Sequence, residues 1–200
     1  MITNLTTAQI ESIQIDEGVI VINEGETDER GLAPCRGGGE FNATAQIRDI
    51  EFDGRHGKTA GAQTIEEQAA SLKVTTIGLT QENLAMAIPN ATVDSASGHN
   101  SAVTNPKTGY IPVSNYLKNV VMYCKTLGGK YKKITIYRPM HEGGMGFKAV
   151  QKAEGELALE FQAHYAHTDL DGDLWKVEEL SALPTSLPGV TDNSSSSNAS

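Results

Sequence analysis

Apolar and polar residues alternate with a period of two along much of this chain, the spacing of strands that bury one face. In Ile10–Ile15, Ile13 and Ile15 share a face, Asp16-Glu17-Gly18 offers a turn, and Val19–Ile22 returns, so the pattern predicts an opening hairpin. Glu24–Gly39 reads as a loop holding Pro34 and the run Gly37-Gly38-Gly39. Glu40–Asp53 is the most legible strand: Phe41, Ala43, Ala45 and Ile47 alternate with Glu40, Asn42, Thr44 and Gln46. Its apolar phase slips at Ile50 and Phe52. A β-bulge near Arg48-Asp49, adding one residue to the strand, absorbs the slip; the alternative is a break into two strands.

Gly54–Gly61 reads as a turn flanked by irregular strand, and Ala69–Ile77 as a further strand carrying Leu72 and Val74. One clear helix follows. Thr80 suits its N-cap, Glu82 its positive end, and Leu84, Met86 and Ile88 its apolar side, while Pro89 ends it. Val93–Val113 is a long loop or ragged hairpin. Asn119–Thr126 and Lys133–Arg138 read as strands joined by Leu127-Gly128-Gly129-Lys130, and Met140–Gly146 as a Gly-rich connection. Glu154–Tyr165 is a strong strand, Asp169–Asp173 a turn, and Leu174–Leu180 a short last strand with the single tryptophan, Trp175. The expected organisation is one mainly-β domain over 1–190, a β-sandwich or barrel with one short flanking α-helix and long loops, and a Ser/Asn-rich tail over 191–200 expected to be disordered.

Composition changes this picture mainly through charge. Asp and Glu number 25 against 16 Lys and Arg, a formal net charge of -9, which disfavours grip on nucleic acid through phosphate neutralisation. Cys35 and Cys124 form no metal spacing and read as free thiols in a reducing compartment, Cys124 as core filling. Met1 to Gln14 lacks the basic and apolar regions of a secretory signal, and Val19–Ile22 and Val120–Cys124 are too short to span a bilayer, so no membrane is expected.

Candidate chemistry is sparse. Gly57-Lys58-Thr59 lacks the glycine a phosphate loop needs five residues earlier, where Phe52 stands, and lacks a following helix. Asp169-Leu170-Asp171-Gly172-Asp173 resembles the start of a calcium loop, but Leu174 and Leu180 occupy its key later positions; an Asp-Gly turn explains the same residues. His164 and His167 stand three apart, which on a strand points them to opposite faces. His56, His99 and His141 fall in expected loops, and no nucleophile is placed beside a base. An enzyme, a metal site and a cofactor are therefore not expected.

Taken in order, Gly37-Gly38-Gly39-Glu40-Phe41, Ile47-Arg48-Asp49-Ile50-Glu51-Phe52-Asp53-Gly54, Leu79-Thr80-Gln81-Glu82-Asn83-Leu84, Ala87-Ile88-Pro89, Asn115-Tyr116-Leu117-Lys118-Asn119-Val120, Gly128-Gly129-Lys130, Ile134-Thr135-Ile136-Tyr137 and Leu159-Glu160-Phe161-Gln162-Ala163-His164-Tyr165 form a familiar succession. It resembles the major tail tube proteins of long-tailed, non-contractile bacteriophages, from about Glu17 to Leu180. The acidic stretch His167–Asp173 and the Ser-rich tail depart from that likeness. The resemblance implies a β-sandwich whose inner sheet joins a multi-subunit β-barrel, in six-membered rings stacked into a tube that carries the genome. The inner tubes of contractile tails and of type VI secretion share this plan. It further implies a homo-oligomer, a tape-measure protein and a tail terminator as partners, DNA passing without specific binding, and a place in the virion tail after assembly in the host cytoplasm. On that reading Glu154, Glu156, Glu160, Asp49, Glu51 and Asp53 are candidates to line the lumen, and Gly37, Gly38, Ser95, Asn100 and Lys107 are candidates for stacking loops. The alternative is a carbohydrate- or ligand-binding β-sandwich module that uses Asp169–Asp173 to hold calcium.

Overall fold

The computed structural model describes residues 4–15, 18–32, 34–94, 102–106, 108–146, 153–184 and 186–188. Strand takes up 44% of the described residues and helix 8%, so the chain is mainly β, with short helices at its margins. All strand pairs are antiparallel.

A five-stranded sheet runs in the order β11 (Trp175–Leu180), β8 (Tyr131–Tyr137), β7 (Asn119–Lys125), β1 (Val19–Ile22), β2 (Arg30–Gly31). A four-stranded sheet runs β3 (Cys35–Asp49), β4 (Gln63–Thr76), β10 (Leu157–Gln162), β9 (Met140–His141). β5 (Thr92–Asp94) and β6 (Ala102–Thr104) pair separately, so Val93–Val113 begins as a ragged hairpin. Alternation explains which side chains meet. Ile20, Ile22, Val120, Met122, Ile134 and Ile136 come from one sheet and Leu72, Val74, Leu157, Leu159 and Phe161 from the other, and all are buried in one apolar cluster. Cys124 is buried in it and Cys35 packs against it, and no disulfide joins them.

The helix placed by sequence is α2 (Gln81–Met86). The Thr80 side chain accepts the Asn83 amide hydrogen, and Leu84 and Met86 pack on the shared core. Asn83 is buried, its Nδ2 donating to Gly78 O at 2.7 Å and its Oδ1 accepting from Arg30 at 2.7 Å.

Five expectations are corrected. The strand over 10–15 is reduced to an isolated bridge, Gln14 to Thr126, and its first residues belong to a short helix, α1 (Thr7–Glu11), opened by a Thr6/Gln9 capping box. No opening hairpin forms; β1 instead pairs with β7 and β2. The loop over 24–39 contains β2 and the start of β3, and Gly37 and Gly38 form a bulge inside β3. Arg36 pairs with Thr75 and Gly39 with Val74, leaving these two glycines unpaired at φ +77° and +72°, a conformation that favours glycine. No bulge forms near Arg48-Asp49; β3 ends at Asp49, so Ile50 and Phe52 lie beyond the strand, and the extra residue is Glu66 on β4, between the Gln46–Glu67 and Ile47–Ile65 pairs. His141 sits buried in β9, not in a loop; its Nδ1 accepts the Glu160 amide hydrogen at 2.8 Å and its Nε2 lies 2.9 Å from Gly144 O.

A second small apolar cluster covers the other face of the five-stranded sheet. Val21, Val121 and Tyr123 are buried there beneath Leu180, Leu183 and Leu187. Beside it the Tyr123 hydroxyl donates to Glu24, and Lys133 pairs with the same carboxylate at 2.6 Å. Burial first, and then Glu24, holds the Tyr123 phenol well above its ordinary range. Among the described residues no helix is long and apolar enough to cross a membrane.

Candidate functional site

The conspicuous feature is an arm. Beyond the Ala43–Ala70 pair, β3 and β4 leave the body together, and every residue over 42–48 and 65–69 is exposed, on both faces of the ribbon. From Ala43 to Asp49 the arm extends about 20 Å at the usual rise per residue. Ile47 (61% exposed) and Ile65 (56%) form a cross-strand pair on the side continuous with the core, and Ile50 and Phe52 are exposed at the tip. The tip is braced: Arg55 pairs with Asp49 at 2.9 Å and donates to Gly57 O at 2.6 Å, and Gln63 donates to Asp49 at 2.6 Å. The Gln63 hydrogen bond, then Arg55, lowers the Asp49 carboxyl below its usual range. Gly57-Lys58-Thr59 lies in this tip and leads into β4, not into a helix.

The six acidic candidates divide into two groups. Glu160 shares with Lys73 (3.5 Å) the face of the four-stranded sheet opposite the core, in a cross-strand row Glu40–Lys73–Glu160. The next row on that face is Asn42–Ser71–Gln162. Glu154 and Glu156 lie at the end of this sheet, both held by Arg36 at 2.8 and 2.7 Å. Arg36 thereby lowers the Glu154 carboxyl. Asp49, Glu51 and Asp53 belong to the arm, nine residues along β3 from Glu40, or about 30 Å. Of the stacking candidates, Gly37 and Gly38 lie in the β3 bulge, while Ser95, Asn100 and Lys107 lie outside the described residues.

Two features escaped the sequence reading. The first is an aromatic cleft of about 670 Å³ at the pole where β7 begins and β8 ends, lined among others by Tyr110, Tyr116, Tyr137, Arg138, His164 and Tyr165. Tyr116 stands edge-on to the His164 ring at 5.0 Å. Arg138 adopts φ +49° at the corner between β8 and β9, and its guanidinium donates to His164 O and Asp173 O, both at 2.8 Å. The second is the opposite pole. There α1 is tied to the β7–β8 turn, Leu127 N donating to Ile13 O (2.8 Å) and Gly128 N to Glu11 O (3.0 Å), yet α1 buries none of its residues.

Asp169–Asp173 is a turn in which Asp169 Oδ1 accepts the Asp171 amide hydrogen at 3.2 Å. Among the described residues no three His, Cys, Asp or Glu side chains are grouped to hold a metal ion. No protein-family model matches this chain, and no curated protein matches it.

Proposed function

We propose that this protein is the repeating subunit of a phage-type tail tube, and the observation that carries the reading is the β3–β4 arm. A two-stranded ribbon that is wet on both faces buries too little to hold itself out, and its exposed Ile47, Ile65, Ile50 and Phe52 have no use in a lone subunit. Seated on a second copy, those side chains leave water. An arm that docks on a different surface of the next copy makes a heterologous contact, which repeats along an axis into a filament.

In this reading the two sheets form a β-sandwich, and the four-stranded sheet is the inner one. Its free edges are β3 and β9. Pairing β3 of one copy with the β9 side of its neighbour removes both edges and closes a multi-subunit barrel, in six-membered rings. The face turned to the channel is then the one carrying Glu40, Lys73, Glu160, Asn42, Ser71 and Gln162. That surface is polar, and its cations are occupied by Arg36–Glu154, Arg36–Glu156 and Lys73–Glu160 pairs. DNA carries one negative charge per roughly 1.7 Å of axis, so a lining without free cations lets it slide. A tape-measure protein and a tail terminator complete the proposed partners, in the virion tail after assembly in the host cytoplasm.

Sedimentation velocity over a concentration series tests this reading. Rings and longer polymers are expected to appear above a threshold concentration. A single monomer boundary at every concentration, with an assembly initiator also present, contradicts it.

A further inference from the structure

The two poles of this fold are complementary. One carries residues 5–15, a segment with a capped helix that is hydrogen-bonded to residues 125–128 yet leaves its apolar side chains outside: Leu5 is 62% exposed, and Ile10, Ile13 and Ile15 are exposed as well. An amphipathic element that buries none of its apolar residues lacks the packing from which helices in proteins draw most of their stability. The other pole carries the aromatic cleft, whose size is ordinary for a binding pocket. Among the described residues none of the hydroxyls of Tyr110, Tyr116, Tyr137 and Tyr165 makes a hydrogen bond.

Charge matches the two. The sequence holds no Lys or Arg before Arg30, and residues 5–15 carry a single charged side chain, Glu11. The cleft, in a chain of net charge -9, holds Lys118 and Arg138 against one lining carboxylate, Glu26, while Glu142 lies 3.2 Å from His164 at its edge. Tyrosine and arginine around a pocket are the residue types that dominate binding at protein interfaces.

The segment cannot reach its own cleft. β7 runs seven residues from the cleft pole to the α1 pole, about 20 Å. Residues 5–11 are tethered at Gly128 and span only about 13 Å, helical over Thr7–Glu11 and extended before it. We infer that residues 5–15 of one copy seat in the aromatic cleft of a second copy, head to tail. Ile10 and Ile13 enter between the tyrosine rings and Glu11 faces Lys118. The cleft lies at the pole from which the arm projects, so this contact and the arm join the same two copies. The inference deepens the tube reading and rests on it for repetition along an axis; the contact itself is read from the two poles.

The test uses two full-length variants. Ile10→Asp with Ile13→Asp damages the segment and leaves the cleft whole; Tyr116→Ala with Tyr165→Ala does the reverse. Each variant alone is expected to stop at single rings where the unaltered protein forms longer polymers, and an equimolar mixture of the two ring forms is expected to give pairs of rings, since each supplies what the other lacks. Longer polymers from either variant like those of the unaltered protein, or a mixture that stays at single rings, overturns the inference. A labelled peptide of residues 1–15 reads the contact without assembly. It should bind the Ile10→Asp, Ile13→Asp protein saturably, and Tyr116→Ala should weaken it at least about tenfold, as for an interface hot spot. Tubes without peptide binding sink the contact and spare the tube; peptide binding without tubes, even with an initiator, does the opposite. If chitohexaose shifts the tyrosine resonances and the peptide does not bind, the cleft is a sugar site and the inference fails.

Discussion

Replacing Ile47 and Ile65 together by alanine separates assembly from folding. The two side chains face each other across the arm and touch little else, with 61% and 56% of their surface exposed. Full burial of an isoleucine side chain is worth about 1.5–3 kcal/mol, so a partner copy that covers the exposed half gains about 1–1.5 kcal/mol from each. Truncating both removes about 2 kcal/mol per contact, and at 1.4 kcal/mol per factor of ten the concentration needed for assembly rises about thirtyfold. The monomer loses only a cross-strand pair, about 0.2–1 kcal/mol. The assay is sedimentation velocity for assembly, alongside urea denaturation of the dilute protein. An unchanged assembly threshold refutes the idea that a partner covers this pair. A loss well beyond about 1 kcal/mol in the monomer refutes the premise that the arm stands alone.

Further outcomes follow from the same geometry. Phe161→Ala empties a fully buried site between Leu72 and His141 and should cost about 3–5 kcal/mol in denaturant unfolding; a near-neutral result would mean the two sheets do not share this core. Gly128→Ala places a Cβ 2.8 Å from Glu11 Cβ and 3.1 Å from its carbonyl oxygen. Hydrogen exchange at the Leu127 and Gly128 amides should accelerate while the melting temperature barely moves, because α1 buries nothing. Arg36→Gln should let the Glu154 carboxyl rise toward its ordinary value in an NMR titration. Since folding lowers that value, its contribution is present above the ordinary carboxylate pKa and fades as pH falls through the folded one. Burial pushes the Cys35 thiol up to about 11, and Cys124 is sealed in the core, so a thiol reagent near pH 8 should label both quickly only after denaturation. Fast labelling of the native protein would contradict that packing.

Much of the body was legible in its apolar residues. β10 buries one face and alternates, whereas β1 and β7 are buried on both faces and read as short continuous apolar runs, and α2 starts at Thr80 because a threonine there can accept the Asn83 amide hydrogen. The misses share a physical cause. The arm buries neither face, so the polar run Gln63-Thr64-Ile65-Glu66-Glu67-Gln68 shows no alternation and β4 reads as starting only at Ala69. Over 10–15, Ile13 and Ile15 do flank a bridge from Gln14 to Thr126, but Thr6 followed three residues later by Gln9, a capping box, starts a helix that takes Ile10 and Glu11. The glycines of the β3 bulge look like a loop because the same positive φ serves both. The aromatic cleft draws its walls from five separate stretches of chain, from Glu26 to Thr168, and only the fold brings them together. The acidic candidates were grouped as polar faces of alternating strands, whereas distance along β3 divides them.

The central claim is self-assembly into a tube, and electron cryomicroscopy of the concentrated full-length protein tests it most directly. The account predicts hollow cylinders of uniform width, sixfold in cross-section, with the four-stranded sheet toward the channel and the β3–β4 arm crossing from each ring to the next. Isolated monomers at every concentration, with an assembly initiator also present, would contradict it, as would polymers in which the arm stays in solvent.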